Sequence, residues 1–160
     1  MYAHSYIEGA TDFIFGQKAQ AWFEKCTIGV VASSLGYVTA SGRASNDNGY
    51  YVINNSNIAA APGNTVSAGA YYLGRPWGAY ARVIVQNTKL SAVINAAGWH
   101  IWNTGDERTD HVTFQQYNNS GAGASGARAG FMKKVSSAVS MSTVLGSGYA
   151  SAKYIDSKYL

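Results

Sequence analysis

Short apolar runs recur along this chain, and most end at clusters of Gly, Asn and Ser. Phe13-Ile14-Phe15, Ala21 to Ile28, Tyr37-Val38-Thr39, Tyr50 to Ile58, Ala70 to Leu73, Arg82 to Leu90 and Val112 to Tyr117 are rich in Val, Ile, Thr and aromatic residues. β-Branched and aromatic side chains between turn-forming residues predict strands. No sustained helical periodicity precedes residue 135. Ser140 to Leu145 predicts one short helix, with Gly146 as its stop.

The runs also repeat. Phe23-Glu24-Lys25-Cys26-Thr27-Ile28 aligns with Ile53-Asn54-Asn55-Ser56-Asn57-Ile58 and with Val85-Gln86-Asn87-Thr88-Lys89-Leu90, at offsets of 30 and 32 residues. Each hexad begins and ends apolar, carries Cys, Ser or Thr fourth, and is polar between. A weaker copy starts at Phe114, and Ser41-Gly42-Arg43 recurs as Leu73-Gly74-Arg75 after 32 residues. Two strand types sharing one period describe a unit stacked on itself, a solenoid. Strands repeating without helices between them predict an all-β chain folded as a parallel β-helix. Its inward small and amide side chains would stack in ladders. An antiparallel sandwich with coincidental spacing is the competing fold. It would usually show two-residue hairpin turns, and Asn48-Gly49 is the only Asn-Gly pair.

The repeat predicts one domain over residues 1–160, with coils over roughly residues 6–119 and residues 120–160 as a C-terminal wrapping tail or cap. A solenoid needs both ends covered. Nothing at the start of the chain reads as a cap, so N-terminal turns are expected to be missing.

Composition narrows the classes. With 47% hydrophobic residues the chain is not disordered, and 12% charged residues excludes a coiled coil or a charge-laced bundle. The net charge of +4 suits an acidic partner. The basic residues are scattered, the longest run being Lys133-Lys134, so nucleic acid fits poorly and an acidic polysaccharide fits as well. Cys26 is the only cysteine, which excludes an intramolecular disulfide and a cysteine-based metal cluster. No apolar run approaches the roughly 20 residues of a membrane span, and the first residues have no signal-peptide pattern. Asn54-Asn55-Ser56 and Asn118-Asn119-Ser120 are glycosylation sequons, a weak sign of secretion.

The segment from Tyr6 to Gly16 carries the most specific chemistry. Asp12 stands beside Phe13, Ile14 and Phe15, where a carboxylate resists ionisation unless a cation holds it. Leu73-Gly74-Arg75-Pro76-Trp77-Gly78 is its complement. Arg75 offers a planar fork for a carboxylate, and Trp77 offers a flat face for a sugar ring. The two lie 63 residues apart, about two turns of the solenoid. Stacked turns are only about 5 Å apart, so an arginine side chain spans the gap.

These segments resemble the pectinesterase family. Tyr6 to Gly16 resembles its signature, as does Leu73-Gly74-Arg75-Pro76-Trp77. Thr39-Ala40-Ser41-Gly42-Arg43, Ala97-Gly98-Trp99, Tyr117-Asn118-Asn119-Ser120-Gly121 and Gly123-Ala124 resemble further blocks, in the right order. The resemblance implies a right-handed parallel β-helix that hydrolyses methyl esters of polygalacturonate, releases methanol and uses no metal or organic cofactor. It also implies a secreted protein of the cell wall, a monomer when complete, with pectin as its partner. By the same resemblance Asp12 is the nucleophile, Arg75 orients it and keeps it ionised, and Trp77 and Phe13 line the substrate cleft. The family's acid/base aspartate and oxyanion glutamines lie upstream of this block. The eleven residues before Asp12 contain neither Asp nor Gln. The chain alone is therefore expected to be a C-terminal portion with little or no activity. A non-catalytic solenoid that binds acidic polysaccharide is the alternative.

Other signals carry less. Gly121-Ala122-Gly123-Ala124-Ser125-Gly126 fits a dinucleotide-loop pattern without its acidic partner about 20 residues on, and reads as a wrapping loop. No G-x-S-x-G elbow supports a serine esterase. His4, His100 and His111 lack metal-ligand spacing, Cys26 reads as a small ladder residue, and Arg43 as structural or substrate-facing. Asp106, Glu107 and Asp110 read as a solvated loop, since a calcium cage needs more ligands.

Overall fold

The computed structural model describes residues 1–160. Thirteen strands follow in order: β1 (Tyr2–Ala3), β2 (Tyr6–Gly9), β3 (Thr11–Gly16), β4 (Gln20–Glu24), β5 (Thr27–Val30), β6 (Gly36–Ser41), β7 (Tyr50–Asn54), β8 (Asn57–Ala60), β9 (Tyr71–Pro76), β10 (Arg82–Gln86), β11 (Lys89–Leu90), β12 (Thr113–Tyr117) and β13 (Met132–Lys134). They form three sheets. The first runs β1-β4-β7-β10-β12-β13, the second β2-β5-β8-β11, and the third β3-β6-β9. Every strand pair is parallel. The first coils each give one strand to each sheet in turn, which is a parallel β-helix.

The core is the inside of this cylinder. Ile7, Ile28, Ile58 and Leu90 lie in register on adjacent strands, and the last three are fully buried in one stack. This is the stack that the hexad repeat predicts. Val38, Leu73, Val83, Val85 and Phe114 close the same core from the other sheets. No helix is long and apolar enough to cross a membrane.

The hexads are not single strands, as the apolar runs suggested. Each crosses a corner between the first and second sheets. Lys25, Asn55 and Asn87 hold φ of 50° there, as does His4, and Asn118 holds 48°. One left-handed residue per coil turns the chain, and Asn tolerates that conformation better than most side chains. The fourth hexad residue follows the corner and serves the coil below. Ser56 Oγ accepts from Cys26 N at 3.0 Å, and Thr88 Oγ1 accepts from Ser56 N at 3.3 Å. Thr88 N in turn donates to Asn119 Oδ1 at 3.0 Å. Small polar residues recur here because they satisfy backbone N–H groups that the corner takes out of the sheet.

An amide ladder runs beside them. Asn118 Nδ2 donates to Asn87 Oδ1, and Asn87 Nδ2 to Asn54 Oδ1, both at 3.0 Å. Asn54 Nδ2 donates to buried Glu24 at 2.8 Å, as do Asn55 Nδ2 and Trp22 Nε1.

The tail covers the outer face of the first sheet. Trp22, Val52 and Ile84 point away from the core and are buried against Val144, with Val139, Met141 and Leu145 around them. Gln86 binds Val139 in both directions, through Nε2 to its O at 3.0 Å and Oε1 from its N at 2.9 Å. Helix α1 (Met141–Leu145) starts at Ser140, whose side chain accepts from Thr143 N, and ends at Gly146 with φ 88°. Coverage on both sides explains why β4, β7 and β10 read as continuous apolar runs.

Candidate active site

The outer face of the third sheet carries the candidate chemistry. In β3 two residues, Asp12 and Phe13, face one of β6, Val38: Thr11 pairs with Tyr37 and Ile14 with Thr39. The extra residue makes a bulge at Asp12-Phe13, and Asp12 takes φ of 55°. Bulges re-aim side chains. Here the carboxylate reaches the outer groove while Ile14 stays buried.

Arg75 comes from β9, two strands away, across Ala40 of β6. Close packing makes that reach possible. A Cβ on Gly74 would lie 2.0 Å from Thr39 Oγ1 and 2.8 Å from its carbonyl oxygen, so only glycine fits. Arg75 Nη2 donates to Asp12 Oδ2 at 2.6 Å, and Nε contacts Oδ1 at 3.1 Å and Oδ2 at 3.2 Å. Both side chains are about four-fifths buried, with 18% of Arg75 and 22% of Asp12 exposed.

Aromatic rings bracket the fork. The guanidinium stands 4.1 Å from the centre of the Tyr37 ring and 4.4 Å from that of Trp102. Tyr37 stacks on Tyr72 at 5.7 Å. The hydrogen bonds from Arg75 to Asp12 hold the guanidinium above its ordinary pKa, against the opposing effect of burial. Burial pushes the Tyr37 phenol up, and Arg75 partly offsets it. The pair is thus fixed as an ion pair in a half-dry, aromatic setting.

Asp12, Phe15, Ala40, Trp77 and Trp102 line an open cavity of about 250 Å³. Trp77 lies over Gly42, where a Cβ would meet its ring at 2.5 Å. Phe15 is 67% exposed and meets Trp77 edge-on at 6.3 Å. The result is a carboxylate on the floor of a groove walled by flat rings. An ionised carboxylate so held is chemically a nucleophile or a general base.

Of the residues singled out in the sequence, Asp12, Arg75 and Trp77 come together here. Phe13 does not join them. The bulge turns it toward the interior, where it packs against the core and over Gly9 at the first coil. Phe15 takes the groove position instead. Strict alternation from Asp12 would put Phe13 and Phe15 on one face, so only the bulge separates them. Tyr37 and Trp102 were also missed. Trp99 is buried and Trp102 is not, a difference that no periodicity in this loop marks.

None of the other polar residues singled out in the sequence lines that cavity. Arg43 is 2% exposed and donates to Asn46, Asp47 and Tyr80. Cys26 is buried, and burial pushes its thiol up. His111 stacks on Tyr80 at 4.6 Å, and His100 Nδ1 pairs with Ile101 O at 2.8 Å. Gly123 packs against Ser91, and its carbonyl accepts from Arg128 at 2.7 Å. Asp106 pairs with Arg108 at 2.7 Å.

Three parallel sheets coiled on one axis, with an aspartate–arginine pair on an outer face, define the class: parallel β-helix proteins with a site on the flank of the cylinder. The family model described as Pectinesterase matches residues 1–158, and the chain belongs to that family. It is 49% identical over 162 residues to a pectinesterase of Aspergillus niger, covering all of this chain and 48% of that protein. The crystal structure of the deglycosylated pectin methylesterase from Aspergillus niger matches with a TM-score of 0.85 and 42% identity, over 97% of this chain and 50% of that one. Pectin methylesterase from carrot matches with a TM-score of 0.80 and 29% identity, over 97% and 55%. The chain spans about half the length of the curated relatives it matches.

Proposed function

We propose that this chain supplies the nucleophile half of a pectin methylesterase site. The observation that supports it best is the Arg75 fork on Asp12 in a groove walled by Phe15, Trp77 and Trp102. Asp12 attacks the carbonyl carbon of a galacturonate methyl ester, forming an O–C bond to give a tetrahedral oxyanion. That intermediate collapses as methanol leaves with a proton from an acid group. The product is an anhydride of Asp12, which water cleaves to a free galacturonate and the original carboxylate. Arg75 pairs with the Asp12 carboxylate and sets its plane. The rings hold the sugars by their faces.

The first eleven residues offer neither Asp nor Gln. The cavity lining of Asp12, Phe15, Ala40, Trp77 and Trp102 adds no second acid and no amide, so in this reading the proton donor and side-chain oxyanion donors come from the part of the relatives' length outside these 160 residues. Each such group contributes about 10²–10³ in rate or more, so the proposed activity is that of a longer chain. The same reading makes the complete protein an extracellular monomer acting on wall pectin. A groove built only to bind polygalacturonate is less favoured, because the family model and the curated relatives that match along the whole chain are pectinesterases.

The test joins residues 1–160 to the upstream half of the Aspergillus niger relative and measures methanol release from methylated pectin. Asp12→Asn abolishes release while the circular dichroism spectrum of the folded coils is kept. Full activity in that variant refutes the nucleophile role.

A further inference from the structure

Arg108 lies outside every segment that carries the family resemblance, yet it touches both tryptophans of the groove. Its Nη1 donates to the Trp77 carbonyl, and its guanidinium stands 4.9 Å from the centre of the Trp102 ring. The same ring carries Arg75 at 4.4 Å. Asp106 takes the remaining donors: Nε contacts its two oxygens at 3.1 and 3.0 Å, and Nη2 donates to Oδ2 at 2.7 Å. Two guanidiniums on one ring repel each other unless each is neutralised. Here each has its own carboxylate, Asp12 for Arg75 and Asp106 for Arg108.

The backbone holds this arrangement in place. Asn103 and Asp106 exchange backbone hydrogen bonds at 3.2 and 3.1 Å, and Trp102 N donates to Glu107 O at 3.1 Å. Arg108 itself has φ of 57°, a conformation a non-glycine residue keeps only where its surroundings hold it. Its side chain is only 30% exposed. A plain surface ion pair would meet Asp106 alone and contribute little. Arg108 meets Asp106, Trp77 and Trp102 together.

We propose that Arg108 is a positioning residue: it ties Trp77 and Trp102 into one groove wall and, through Trp102, keeps the Arg75 fork on Asp12. Its functional meaning rests on the nucleophile reading of Asp12, while its geometry does not. The contacts form a continuous path from the Trp77 carbonyl through Arg108, Trp102 and Arg75 to the Asp12 carboxylate.

The test uses residues 1–160 joined to the upstream half of the Aspergillus niger relative, labelled with ¹⁵N, and compares it with its Arg108→Met and Arg108→Lys variants. Nuclear magnetic resonance reads the backbone amides, the Trp77 and Trp102 indole N–H signals and the exchange rate of Arg75 Nε–H. In Arg108→Met the coil amides keep their positions, the Trp102 indole signal shifts, and Arg75 Nε–H exchanges about tenfold faster, the scale set by losing one cation–π contact. Arg108→Lys does not restore either signal, because an ammonium has neither the plane nor the fork. Unchanged Trp102 and Arg75 signals in Arg108→Met overturn the proposal, and so does full rescue by Lys. If Arg108→Met loses the folded spectrum, Arg108→Lys decides alone: wild-type signals overturn the proposal, and a shifted Trp102 with faster Arg75 exchange supports it. None of these signals depends on ester chemistry, so a failed role for Asp12 in methanol release leaves them as expected.

Discussion

Replacing Asn87 separates the two reasons for an asparagine at the coil corner. Its backbone sits at φ 50°, and its side chain joins Asn54 and Asn118 through two 3.0 Å hydrogen bonds. Asn54 Oδ1 also accepts from Gln86 Nε2 at 3.0 Å, and Asn118 is exposed, so neither neighbour is left buried and unpaired. Each lost bond then costs about 0.5–1 kcal/mol. A left-handed alanine costs about 1 kcal/mol more, since its Cβ crowds the carbonyl. Asn87→Ala is thus expected to lower stability by about 2–3 kcal/mol, and Asn87→Gly by about 1–2 kcal/mol. Lys25 holds the same φ of 50° in the column, in an exposed position. Lys25→Gly relieves the backbone and should leave stability level or raise it by up to about 1 kcal/mol. Urea unfolding followed by circular dichroism gives all three from the midpoints, provided that the slope is unchanged. Equal losses for Asn87→Ala and Asn87→Gly, or a clear loss for Lys25→Gly, refute the account of the corner.

Three further outcomes follow from the same geometry. In the joined enzyme, Arg75→Lys is expected to lower methanol release by about 100-fold, because a point charge cannot reproduce the planar clamp; near-full activity would show that the plane is irrelevant. Burial pushes the Tyr51 phenol from its usual 10.0 up to about 12, so the folded state favours the protonated form. Its contribution is complete below pH 10 and lost as pH rises to 12, about 2–3 kcal/mol of alkaline destabilisation that Tyr51→Phe removes from the unfolding curves. Strands β1, β2 and β3 are each paired on one side only, over an apolar end lined by Ile7, Phe13 and Phe23. Light scattering should therefore show association that grows with concentration, and a clean monomer at high concentration contradicts it.

The coil architecture was legible because a solenoid writes its period into the chain. Cys26, Ser56 and Thr88 share one structural position, so their spacing located the ladder without any coordinates. The corners were less legible. A left-handed residue between two apolar residues looks like the polar middle of one strand, and Lys25 shows that side-chain type does not mark it. The Asp12–Arg75 pair was legible from charge and spacing, since a carboxylate among Phe13, Ile14 and Phe15 needs a cation. Trp102 and Arg108 were not, because their roles arise from a loop whose path no local pattern sets. Phe13 was misplaced for a backbone reason: one extra residue in β3 reverses the faces that alternation predicts.

That extra residue also explains how the site coexists with the core. In a regular strand Asp12 and Ile14 share a face, so either the carboxylate enters the cylinder or the isoleucine leaves it. Both are costly, the first far more so. The bulge removes the conflict: Asp12 turns out, Phe13 and Ile14 stay with the core, and Phe15 turns out to wall the groove. The left-handed Asp12 backbone costs about 1–2 kcal/mol, and the pairs on either side, Thr11 with Tyr37 and Ile14 with Thr39, hold it there. The charge-assisted bonds from Arg75 are of a size to offset that strain. The fork therefore has two effects, fixing the plane of the carboxylate and holding the bulge. Arg75 and Asp12 are thus coupled through the backbone as well as through charge, and the site's chemistry and its local stability rest on the same three hydrogen-bond contacts.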